Sequence, residues 1–172
     1  QPGGWTFDIP GISRCNGMPI LVCDLSNGPN RGTLYINWSD QRKGTDDTDI
    51  WLSASKNGGK TWSKPLRVNN DGRGKHQFMS WLAVDQVTGH LYVVFYDRRN
   101  HPDEQTDVYV AVSENGGRSF KNLKISKAPF KPNKFVFFGD YNHIVAHGGV
   151  VRLIWTRLEN GELSVWTALM DP

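Results

Sequence analysis

The chain has 172 residues, a formal net charge of +3 and 38% hydrophobic residues, with seven Trp, eight Phe and five Tyr. That is enough apolar material for one domain with a real core, and the charge is too small and too mixed for a nucleic-acid surface. No apolar run exceeds about eight residues, against the ~20 of a membrane-spanning helix, while eighteen Gly and nine Pro call for many turns and suit an all-β chain.

No signal peptide opens the chain, so one was removed or none existed. Trp5–Ile9 is an apolar stretch with no partners before it, expected as an orphan outer strand within a linker at residues 1–14. Cys15 and Cys23 follow. If the segment between them is extended they lie roughly 25 Å apart and cannot bond to each other; two free thiols are expected unless the stretch near Met18 and Pro19 folds back. Ile20–Asp24, Leu34–Asp40 and Thr48–Trp51 then read as short strands between Gly-, Asn- and Asp-rich turns, and Ser55–Trp62 closes the unit. Asn37-Trp38-Ser39 is a glycosylation sequon in mid-strand, expected to be unused.

The same elements return in Leu82–Asp85, Leu91–Asp97, Thr106–Tyr109 and Ser113–Phe120, with Asn57 recurring as Asn115, 58 positions on. A third unit opens at His143–Ala146, continues through 150–155 and 163–169, and stops before a fourth strand. The units are residues 15–70, 71–128 and an incomplete 129–172. Four-stranded units at this period build β-propellers, and three blades cannot close a ring alone. The expected fold is therefore a partial β-propeller of about three four-stranded blades, roughly half of a six-bladed ring. The missing half is supplied by the remaining blades of a longer chain, or by a second copy with Trp5–Ile9 of each copy completing the other's last blade; terminal blades are otherwise sticky edges.

Ser55-Lys56-Asn57-Gly58-Gly59-Lys60-Thr61-Trp62 and Ser113-Glu114-Asn115-Gly116-Gly117-Arg118-Ser119-Phe120 resemble the Asp box (BNR repeat), Ser-x-Asp-x-Gly-x-Thr-Trp, of sialidase-like propellers. The third side chain bonds back to turn amides, Gly accepts a positive φ, and the last aromatic packs between sheets. Both copies carry Asn in place of Asp, and Asn makes the same local bonds. The resemblance implies that Ser55, Asn57, Gly59, Trp62, Ser113, Asn115, Gly117 and Phe120 are structural, in hairpins between third and fourth strands and away from the ligand face.

In an antiparallel blade the turns after strands two and four share the other end. That end receives residues 40–49, 71–77, 97–104, 131–142 and 157–160, where charged and aromatic residues concentrate. Asp40-x-Arg42 and Asp97-x-Arg99 close the second strands, and Arg157 follows Trp155 in the same place of the third unit. These guanidinium groups either converge on an acidic sugar, which a planar two-bond donor suits, or pair with Asp to tie each blade to its neighbour. In Phe138-Gly139-Asp140-Tyr141-Asn142, the resemblance makes Tyr141 the candidate nucleophile of a retaining exo-sialidase, with Asp140 beside it; the Phe/Tyr-Arg-Ile-Pro segment of sialidases is absent and no Glu is placed to serve the Tyr, so the alternative is a Tyr packed at the channel mouth. Asp46-Asp47-Thr48-Asp49 offers oxygen ligands to Ca²⁺ but lacks an EF-hand pattern, and His76, His101 and His143 have no metal spacing, so no metal or cofactor is expected. The resemblance implies glycan recognition or processing, secreted or at the cell surface, with a glycan or glycoprotein as partner, no nucleic acid and no membrane span. The alternatives are an exo-sialidase with part of its site on missing blades and a non-enzymatic protein-interaction propeller.

Overall fold

The structure is a computed structural model and describes residues 6–171. Among these residues there are eleven strands and no helix: β1 (Ile20–Cys23), β2 (Leu34–Asp40), β3 (Asp49–Ser55), β4 (Leu66–Arg67), β5 (Gln77–Val84), β6 (Leu91–Asp97), β7 (Asp107–Ser113), β8 (Lys121–Lys124), β9 (His143–His147), β10 (Val150–Glu159) and β11 (Glu162–Met170). They form three antiparallel sheets in sequential order, β1-β2-β3-β4, β5-β6-β7-β8 and β9-β10-β11. The first strands meet, β1 and β9 both packing on β5, so the sheets radiate from one side as propeller blades do. The fold is all-β, a partial β-propeller.

Strand composition follows position. β6, Leu-Tyr-Val-Val-Phe-Tyr-Asp, is buried at all seven positions because a sheet covers each of its faces. β2 carries a similar sequence but alternates half-buried and buried, since only one of its faces is covered. Between the first and second blades lie Tyr35, Ile50, Leu52 and Val68 against Leu91, Val93, Phe95, Tyr109 and Ala111. Between the second and third lie Tyr92, Val94, Tyr96, Val108 and Val110 against Ile144, Val151, Leu153 and Trp155. Each fully buried side chain of this size contributes roughly 1.5–3 kcal/mol, so the seams, rather than the ladders alone, hold the blades in place.

Residues 6–9 do not form the expected orphan outer strand. Trp5 lies outside the described residues, and 6–9 belong to no strand. The Phe7 amide donates to the Cys15 carbonyl, and Phe7 and Ile9 are buried beside Phe78, Tyr96 and Phe138. Two large apolar side chains gain more in that core than on an exposed edge. Cys15 and Cys23 are free thiols, and burial pushes the Cys15 thiol up to about 12. Asn37 is fully buried and donates to Ser80 Oγ at 2.7 Å, which places the sequon inside the first seam.

Candidate functional site

The two octapeptide hairpins have the same internal bonds. Asn57 Oδ1 accepts from the Ser55 hydroxyl and the Thr61 amide (3.0 and 2.9 Å), its Nδ2 donates to Thr61 Oγ1 (2.8 Å), and Ser55 Oγ accepts the Gly59 amide (2.9 Å). Asn115 repeats every contact with Ser113, Ser119 and Gly117. Gly117 needs its positive φ of 77°, and a Cβ there would meet Leu52 Cδ2 at 2.9 Å. Phe120 packs into the first seam, whereas Trp62 is 41% exposed. Side chains that spend their polar atoms closing a turn have none left for a ligand.

The strand ends opposite carry the expected Asp and Arg residues. Asp40, fully buried, takes Arg42 Nε and Nη2 (2.9 and 2.5 Å) and Trp38 Nε1 (2.7 Å), and the Arg42 guanidinium lies 4.2 Å over the Trp51 ring. Asp97, also fully buried, takes Arg99 Nε at 2.8 Å, and Arg99 lies 4.3 Å over Tyr109. Arg99 then crosses the seam to Asn70 Oδ1 (2.6 Å) in the preceding blade and reaches Asn122 Oδ1 (2.9 Å) in its own. Burial pushes the Asp97 carboxyl above its ordinary value, opposed by Arg99.

Arg157 does not stand in the place of Arg42 and Arg99. The aromatic cross-strand pairs Trp38–Trp51, Phe95–Tyr109 and Trp155–Trp166 align the three blades. Two residues past the first aromatic of each pair come Asp40, Asp97 and Arg157; four past come Arg42, Arg99 and Glu159. The pair is thus present in the third blade with its charges exchanged, Arg157 Nη2 to Glu159 Oε1 at 3.2 Å. Arg157 still lies over its third-strand aromatic, Trp166, at 5.1 Å, and donates across the seam to the carbonyls of Ala128 and Pro129 (3.0 and 3.3 Å). No two of Arg42, Arg99 and Arg157 share a partner, and each is held at its own strand end.

What gathers at the meeting of the first strands is a different group. Ile20, Trp81 and His143 are equivalent in the ladders, opposite Asn37, Val94 and Ile154. Two residues before each come Met18 (φ 38°), Met79 (φ 50°) and Tyr141. A positive φ at two Met residues stores strain of order 1–3 kcal/mol each, the kind retained where loops must present side chains at a set angle. Trp81 lies 4.9 Å from the His143 ring and 6.0 Å from that of Tyr141, which is 61% exposed. Asp140 is gripped by Arg14 through Nε (2.9 Å) and Nη2 (2.5 Å), raising the Arg14 pKa, and Arg14 lies 5.4 Å over Phe137. Among the described residues no acid hydrogen-bonds the Tyr141 hydroxyl. Asp140, Tyr141 and His143 are legible in the sequence and Trp81 and Arg14 are not: nothing local marks them, and only the register of β5 and the return of the N-terminal segment bring them there.

The acidic run is committed elsewhere. Asp47 Oδ1 accepts the Gly74 amide (3.1 Å), and Asp49 is held by Arg67, Lys43 and Asn69. Among the described residues no group of three or more His, Cys, Asp or Glu is placed to hold a metal ion. His76 bonds Thr48 Oγ1 (3.0 Å), and burial, then the nearby Arg98, lower it to about 4; His101 contacts Asp107 Oδ2 at 2.9 Å.

No family model and no curated protein matches the sequence. Solved structures do match in shape. A Hadza microbial sialidase, Hz136, is similar over 88% of this chain and 34% of its own, at 16% identity and a TM-score of 0.60. The Penicillium chrysogenum alpha-L-arabinanase, solved with arabinobiose, is similar over 96% of this chain and 50% of its own, at 17% identity and a TM-score of 0.66. The NanB sialidase of Streptococcus pneumoniae is similar over 98% and 44%, at 13% identity and a TM-score of 0.51. The chain spans half the length of these proteins or less. What it shares with them at such identities is the fold: a stretch of sialidase- and arabinanase-like β-propeller.

Proposed function

We propose that these blades belong to a glycan-recognising or glycan-processing propeller, secreted or at the cell surface, that seats a sugar over Trp81, Tyr141 and His143. The observation that carries this reading is the partly open aromatic group at the meeting of the first strands. Sugar rings present apolar C–H faces that stack on the electron-rich faces of aromatic rings, while hydroxyls need fixed polar groups at the rim. Asp140, which adjoins Tyr141 in sequence, and the Arg14 paired with it are the polar groups proposed for the rim. On this reading Arg42, Arg99 and Arg157, each paired with an acid at its strand end and lying over an aromatic ring, serve as ties between strands and blades rather than as sugar ligands.

The test is a glycan array on the 172-residue chain, followed by titration of the best binder against Trp81→Ala and Tyr141→Phe. Trp81→Ala should weaken binding by roughly two- to tenfold, since aromatic stacking is worth about 0.5–1.5 kcal/mol. Binding unchanged by Trp81→Ala, or no glycan bound at all, would sink this reading in favour of protein docking. Hydrolysis of a fluorogenic sialoside, lost in Tyr141→Phe, would add the nucleophile role to Tyr141; hydrolysis retained in that variant would take Tyr141 out of the chemistry.

A further inference from the structure

Phe135 is 86% exposed, more than any other large apolar side chain among the described residues. That exposure is held in place. The Asn133 side chain accepts the Phe135 amide (3.0 Å) and the Asn133 carbonyl accepts the Val136 amide (2.9 Å), closing a turn with Lys134 and Phe135 at its tip. The chain is anchored on both sides of the tip: Phe130 and Phe138 are buried, and Val136 packs against the same core. A turn fixed at both ends presents its aromatic ring at a set angle.

Single exposed apolar residues are ordinary on a protein surface, but this ring also lines a cleft. The cleft has a volume of about 630 Å³, within the range of small-ligand sites, and Asp8, Glu104, Lys131 and Asn133 line it as well. Three segments build it: residues 8–12, the loop after β6 and the loop leading to β9. They meet at Gly11, where a Cβ would lie 3.2 Å from both the Pro132 carbonyl oxygen and Glu104 Oε2. No strand of any blade contributes a lining residue, so the cleft belongs to the loops at one end of the propeller and not to an uncovered blade.

Its charges cancel. Lys131 Nζ lies 3.7 Å from Asp103 Oδ2 and 3.9 Å from Glu104 Oε2, and Lys134 Nζ lies 5.2 Å from the centre of the Phe135 ring. With Asp8 and Glu104 against Lys131 and Lys134, neither an anion nor a cation is drawn strongly. What remains is an open aromatic face among donors and acceptors of both kinds, the complement of a sugar ring with apolar C–H faces and a rim of hydroxyls. The cleft opens at the same end of the blades as Tyr141. Tyr141 follows Phe135 by six positions, so their Cα atoms lie at most roughly 21 Å apart. Arg14 bridges the interval, lying over Phe137 and gripping Asp140.

We infer that the cleft beside Phe135 is a second subsite, taking a neutral sugar unit of the same glycan that lies over Trp81, Tyr141 and His143. This rests on the reading of that aromatic group as a sugar seat, and adds that the ligand is an oligosaccharide whose unit in the cleft is uncharged.

The probes are linear xylose, arabinose and galactose disaccharides and hexasaccharides, with hexagalacturonate as the acidic counterpart, titrated calorimetrically into the 172-residue chain. The best neutral hexasaccharide should bind more tightly than its disaccharide. Phe135→Ala, at an exposed position that leaves the unfolding midpoint unchanged, should weaken the hexasaccharide roughly two- to tenfold and leave the disaccharide unaffected. Trp81→Ala should weaken both. If Trp81→Ala weakens both lengths and Phe135→Ala neither, the second subsite falls while the sugar seat stands. If Phe135→Ala weakens binding and Trp81→Ala does not, the seat falls, and the pairing of two subsites with it. Tighter binding of hexagalacturonate, lost in Lys131→Ala, would overturn the neutral assignment, and no binding of any probe would overturn both readings.

Discussion

Asn57 and Asn115 do the work of an aspartate with one extra donor. Asn57 accepts two bonds at its oxygen and Asn115 three, and each gives one from nitrogen, so an Asp there keeps the acceptors and reverses one hydroxyl. Asn115→Asp should change stability by less than about 1 kcal/mol, whereas Asn115→Ala removes several net bonds of about 1 kcal/mol each and should cost about 2–3. Urea unfolding midpoints measure both, and equal losses in the two variants would mean that the amide nitrogen is the essential atom. Asp85 works across a blade boundary. It accepts the amides of Val87 and Thr88 in its own turn and of Gly148 and Gly149 in the turn between β9 and β10. Burial pushes its carboxyl up, but the four donors outweigh it and hold the group down at about 2. A carboxyl lowered on folding stabilises above its unfolded value near 3.8 and loses that contribution as pH falls toward 2. Asp85→Asn should weaken docking of the third blade at neutral pH and should erase the share of acid destabilisation that falls between pH 4 and 2. An unaltered acid profile would show that Asp85 titrates normally.

At the scale of strands, the repeat makes the blades legible in the sequence: alternating apolar runs locate β2, β3, β6 and β7, and the octapeptides locate the hairpins that follow. Two things were not legible. Phe7 and Ile9 read as strand because alternation is the same whether a segment pairs on an edge or tucks under a neighbouring blade. Arg157 read as a third copy of Arg42 and Arg99 because only cross-strand register shows that it stands two residues early, with Glu159 completing an exchanged pair. The role of these pairs is testable at Arg99, which touches Asp97, Asn70 and Asn122. Arg99→Met leaves Asp97 buried without its cation and should cost about 3–5 kcal/mol at neutral pH. The sign of the pH dependence is specific. Burial already raises the Asp97 carboxyl in the folded state, so the folded protein takes up a proton more readily than the unfolded chain, and loss of Arg99 raises the carboxyl further. The stability gap between Arg99→Met and the parent should narrow as pH falls from 7 to 4, and Asp97→Asn in the Arg99→Met background should recover part of the loss. A gap constant with pH would mean that the lost stability comes from the bonds to Asn70 and Asn122.

Across the whole molecule, the sequence groups the charged and aromatic turns at one end of the blades but does not tell which of their residues meet, because segments near positions 14, 81 and 141 that have no local relation come together there. The same assembly places His76 where the loop before β5 crosses the end of the first blade, against Thr48 and near Arg98. Burial acts first on its imidazole, the positive charges of Arg98 and Lys75 add to it, and Asp46 and Asp8 oppose, with a net fall to about 4. An unfolded His titrates near 6.5. Between those values the unfolded chain binds a proton that the folded chain refuses, so stability declines as pH drops from about 6.5 to 4. That window lies above the one governed by Asp85, and the two are separable. His76→Gln keeps a hydrogen-bonding side chain for Thr48 and removes the titration. Its urea midpoint should fall less than that of the parent between pH 6.5 and 4.5, with both falling together below pH 4. If the parent and His76→Gln decline in parallel from pH 6.5, the imidazole is protonated in the folded state, and the loop before β5 opens to water more readily than its packing implies.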